Sequence, residues 1–123
     1  MKPSARIITE SIGWLELGNT EEAWATLETL APAERASMQV LFLRARILKA
    51  ARKWREALMV LDGLSAREGN QVLDYERAIC HLQLGDETRA RQLFENAMRA
   101  GDEALKVRAL DDPLAAPLWK AQQ

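Results

Sequence analysis

Apolar and small residues recur along this chain at helical spacing, in three blocks. Ile7, Ser11, Trp14 and Gly18 fall 4, 3 and 4 residues apart. The same intervals separate Leu41, Ala45, Leu48 and Arg52, and again Asp74, Ala78, His81 and Gly85. That spacing marks one face of a helix. Each block has a small residue (Ser11, Ala45, Ala78) where a neighbouring helix must come close. A second stripe follows each block: Ala23, Leu27 and Leu30, then Ala57, Leu61 and Leu64, then Ala90, Phe94 and Ala97. The pattern predicts three pairs of amphipathic helices.

The segments joining each pair repeat as well. Leu17-Gly18-Asn19-Thr20-Glu21-Glu22-Ala23 is echoed by Leu84-Gly85-Asp86-Glu87-Thr88-Arg89-Ala90, with a weaker copy, Ala51 to Ala57, between them. Ala23, Ala57 and Ala90 lie 34 and 33 residues apart. Gly18 and Gly85 suit the left-handed residue that ends a helix. Asn19 and Asp86 suit the cap of the next one, and Asn19 with Glu22 resembles a capping box. Arg52-Lys53 has neither feature, so the middle turn is expected to be less well specified. Pro32, Gly69-Asn70 and Gly101-Asp102 are expected to end the three pairs.

A period near 34 residues built from helix–turn–helix units resembles the tetratricopeptide repeat family, in particular small bacterial members. The resemblance covers about residues 4–104. It rests on small Ser11, Ala45 and Ala78, on Trp14 at an aromatic position, and on Gly18 and Gly85 at the turns. Ala23, Ala57 and Ala90 open the second helices, and Phe94 and Ala97 lie within one. Departures are Glu10, Arg44 and Arg77 where the family usually has Leu, Asp74 where an aromatic is common, and an early Pro32. The resemblance implies an all-α, right-handed superhelix of three units, 4–36, 37–70 and 71–104, closed by a cap over 105–123.

The cap is expected from chemistry too, because a repeat array needs a closed end. Asp102 can cap a short helix carrying Leu105, Val107 and Leu110. Asp112 with Pro113 can start another, and Leu114, Leu118 and Trp119 are expected to dock on the third unit.

Composition narrows the function. The chain has 123 residues, 48% of them hydrophobic and 28% charged, with a formal net charge of −1. A near-neutral chain has no basic footprint for nucleic acid. No run approaches the roughly 20 apolar residues of a membrane span. Ile7-Ile8 after Lys2 and Arg6 is too short for a signal peptide core. These features point to a cytoplasmic protein. One cysteine, Cys80, and one histidine, His81, cannot build a zinc site. Adjacent residues of a helix point about 100° apart, so the two do not form a nucleophile–base pair. No glycine-rich phosphate loop occurs. No enzyme, metal or cofactor is expected.

In the tetratricopeptide family the first helix of each unit lines a concave groove. Carried over, the resemblance implies a groove stripe of Ile8, Ile12 and Leu15, of Phe42, Arg46 and Lys49, and of Tyr75, Ile79 and Leu82. Apolar side chains dominate it, and such patches mark interfaces. The expected partner is a protein or peptide: an amphipathic helix or extended apolar segment carrying one or two acidic residues to meet Arg46 and Lys49. Small bacterial secretion chaperones with tetratricopeptide folds use grooves of this kind. A carboxylate clamp for chaperone tails is not expected, because Ile8, Ile12, Tyr75 and Ile79 stand where it needs polar side chains. The alternatives are a homodimer or larger homo-oligomer that buries the stripe, or C-terminal helices that fold over it.

Overall fold

The computed structural model describes residues 4–120; Lys2, used above, lies outside them. The chain forms helices α1 (Ser4–Glu16), α2 (Thr20–Glu28), α3 (Pro32–Arg35), α4 (Met38–Ala50), α5 (Trp54–Glu68), α6 (Gln71–Gln83), α7 (Glu87–Ala100), α8 (Glu103–Asp111) and α9 (Ala116–Lys120). A 3₁₀ turn, Pro113–Ala115, precedes α9. The chain divides into two compact units, Met1–Val60 and Leu61–Gln123, with the boundary inside α5.

In the first unit α1 packs along α2, and both rest on α4. The core holds Ile7, Ala23, Leu27, Leu30, Val40, Leu43 and Ile47. Ser11 is fully buried and donates its hydroxyl to the Ala23 carbonyl at 2.8 Å. A small side chain there both lets α2 approach and satisfies itself in doing so. In the second unit α6 packs along α7, and α9 packs on α7. Ala78, Ala90 and Ala97 are fully buried. Trp119 meets Phe94 edge-on at 5.1 Å and donates its indole N–H to the Ala109 carbonyl at 2.9 Å.

The three turns share one backbone solution. Asn19, Lys53 and Asp86 donate their N–H to Trp14, Leu48 and His81, at 2.9, 2.8 and 2.9 Å. Gly18, Arg52 and Gly85 donate theirs to Leu15, Lys49 and Leu82. This is the paired hydrogen bonding of a Schellman motif, which needs a left-handed residue at its apex. Gly18 (φ 79°) and Gly85 (φ 88°) supply it, and so does Arg52 (φ 62°). The middle turn is therefore as well defined as the others, contrary to expectation. The hydrogen bonds and the flanking helices hold Arg52 where glycine would sit, at a cost of about 1–2 kcal/mol.

Caps follow the sequence closely. Asn19, Asp86, Asp102 and Asp112 accept from the N–H of Glu22, Arg89, Leu105 and Leu114. Ser37 and Asn70 cap α4 and α6 in the same way. Asn70, expected to end a pair, thus begins the next. The Asn19–Glu22 capping box is half-formed at most, because the Asn19 N–H is spent on Trp14.

Arg44 and Arg77, the departures from Leu, are both accommodated by the same device. Arg44 is buried, reaches Glu28 at 2.8 Å and lies 4.4 Å over the Trp24 ring. Arg77 reaches Asp62 at 2.8 Å and Ser65 at 3.3 Å. Glu28 and Asp62 are 34 residues apart, Arg44 and Arg77 are 33 apart. Each guanidinium replaces an apolar contact with a paired, hydrogen-bonded charge in nearly the same register.

Candidate partner-binding site

Six of the nine expected groove residues lie in the first unit, on two helices that pack on each other. Ile8, Ile12 and Leu15 on α1 pack against the core yet stay partly exposed. On α4, Phe42 and Lys49 are half-buried and Arg46 is exposed. The unit thus presents apolar side chains with Arg46 at its surface. On α1 the neighbouring stripe, Ile7 and Ser11, is buried, and on α4 the far side, Val40 and Ile47, is buried.

The second unit corrects the expectation. Tyr75 and Ile79 are fully buried, and only Leu82 is partly exposed. The physical reason at Tyr75 is the C-terminal segment. The Tyr75 hydroxyl donates to Asp112 Oδ2 at 2.5 Å, and the Arg108 guanidinium lies 5.4 Å from its ring centre. Arg108 also pairs with Glu76, which is 2% exposed. Burial and the Asp112 carboxylate push the Tyr75 hydroxyl well above the ordinary tyrosine pKa of about 10. Tyr75 and Ile79 therefore offer no open surface in this arrangement.

The helix capped by Asp102 carries Leu105, Val107 and Leu110, as expected. Leu105, Ala109 and Leu118 are buried, but Val107 and Leu110 are 55% and 65% exposed. They occupy the outer side of α8, opposite Leu105 and Ala109, and contribute nothing to the core.

Sequence reasoning missed a cleft of about 910 Å³ in the first unit, outside the stripe. It lies between the start of α2, the end of α4 and the start of α5, and Trp24, Leu48, Met59 and Val60 line it. Met59 is 70% exposed. Trp24 follows core Ala23 on α2, and Met59 lies midway between core Ala57 and Leu61 on α5, so helical phase alone puts both off the core stripe of their helices.

Cys80 is fully buried. His81 is partly exposed, with Nδ1 3.7 Å from Asp86 Oδ2. Burial lowers its pKa below 6.5 despite the neighbouring carboxylates. Among the described residues no group of His, Cys, Asp or Glu is placed to hold a metal ion, and no helix is long and apolar enough to cross a membrane.

No protein-family model matches the sequence, and the search of curated proteins gives no match. Among solved structures the chain is similar to PcrH, as seen in complex with the chaperone binding region of PopB. The TM-score is 0.69, over 94% of this chain and 91% of the matched chain, at 17% sequence identity. At that identity the likeness is one of fold. The chain has the all-α fold of PcrH, with paired helices packed like tetratricopeptide units.

Proposed function

We propose that this chain is a protein-interaction module, adaptor or chaperone-like, that grips an apolar segment of a partner along α1 and α4. The observation that carries the reading is the partly exposed set of Ile8, Ile12, Leu15 and Phe42 beside exposed Arg46. Apolar side chains held at a surface, next to a cation, suit an aliphatic segment with an acidic residue. The PcrH fold adds support, since the PcrH structure holds a segment of another protein. The role is non-enzymatic, the compartment the cytoplasm, and the organisation three repeats, 4–36, 37–70 and 71–104, with a cap over 105–123.

The test is capture of partners from the native host by the wild-type chain and by the Ile12→Asp, Phe42→Asp double variant. The variant is expected to lose the specific partner while its circular dichroism stays helical. Unchanged capture would move the binding surface elsewhere. The same partly exposed apolar side chains suit a second reading, a homo-oligomer that buries them in its own interface. Light scattering separates the two, since a monomer at all concentrations removes the second.

A further inference from the structure

We infer that residues 102–120 are an internal occupant of the second unit, seated over α6 in the way a partner segment would be, and that a displacing partner presents a carboxylate to Tyr75. The inference rests on the interaction reading above and names the chemistry the partner must carry.

Tyr75 is where the resemblance placed a groove residue, and its hydroxyl is answered by a carboxylate from the chain itself, Asp112. The Asp112-Pro113-Leu114 turn is an acidic residue followed by aliphatic ones, the class of segment that the exposed residues of α1 and α4 suit. Arg108 closes the other side, bonded to buried Glu76 and stacked on the Tyr75 ring. Trp119 then anchors the segment on Phe94. Helix α8 has 9 residues and α9 has 5. Helices this short do not persist alone in water, so they hold their form only while seated. Leu105, Ala109, Ala115 and Leu118 are buried beneath these contacts, and a short terminal element of this kind is what opens before the rest of a domain. A partner with the same carboxylate and aliphatic groups would compete for the same seat.

The test uses the full chain and, as probe, a synthetic peptide of its own residues 102–120. Hydrogen exchange by mass spectrometry is expected to show residues 103–111 opening at least tenfold more often than α6 and α7. Arg108→Ala with Asp112→Asn is expected to raise exchange in 103–120 a further tenfold or more, leaving α6 and α7 protected. The loosened chain should bind the probe peptide at least tenfold more tightly than the wild type. A peptide carrying Asp112→Asn should bind more weakly. Should 103–120 exchange only together with α6 and α7 in both chains, or the loosened chain ignore the peptide, the segment is a fixed part of the core and the inference fails. Neither result touches partner capture by α1 and α4, so the two readings fail separately.

Discussion

At the residue scale, one turn position carries an arginine where the equivalent turns carry glycine. Arg52 holds a left-handed conformation that Gly18 and Gly85 adopt at the equivalent turns. Replacing it with glycine removes about 1–2 kcal/mol of strain and returns part of that as unfolded-chain entropy. Arg52→Gly is therefore expected to stabilise the protein by about 0.5–1 kcal/mol in urea unfolding. Arg44 holds the Glu28 carboxyl below its ordinary value of 4.5, chiefly through their hydrogen bond. A depressed carboxyl stabilises the fold above its unfolded pKa, and the effect is lost as pH falls through the folded value. Acid unfolding below about pH 4.5 should thus be less steep in Arg44→Leu. Leucine at this position should otherwise be tolerated, because it restores an apolar contact in place of a half-buried pair.

At the scale of elements, the helices were legible because three copies of one pattern agreed. Spacing, turn glycines and Asx caps all pointed to the same boundaries. What failed had a common cause. Periodicity tells which residues share a face but not what covers that face. Tyr75 and Ile79 share the phase of Ile8 and Ile12, yet the former pair is buried and the latter pair is not. The difference at Tyr75 comes from Arg108 and Asp112, more than 30 residues away in sequence. The pattern likewise leaves open which side of α8 faces inward: Leu105 and Ala109 are buried, and Val107 and Leu110 are exposed. Tyr75 offers a direct measurement, being the single tyrosine of the chain. Glu76, Asp112 and Arg108 are the charges that face it. Its raised pKa favours the neutral phenol in the folded state, so its contribution is complete below about pH 10 and is lost as pH rises beyond. Tyrosinate absorbance is expected to appear only as the second unit loses helicity. In Asp112→Asn the transition should shift to lower pH.

At the scale of the molecule, the chain is near-neutral, with a formal net charge of −1. The fold it shares with PcrH places helices in pairs, and the pairs leave apolar side chains of α1 and α4 at the surface. The proposed function requires this surface to grip a segment of another protein. Site-specific photo-crosslinking in the native host tests it most directly, with a photoreactive phenylalanine analogue at Phe42 and, as control, at exposed Glu95 on α7. The account predicts adducts from position 42 alone, to one aliphatic, acid-bearing segment of another protein, abolished by Ile12→Asp. Adducts only to a second copy of this chain, or the same adducts from position 95, would contradict it.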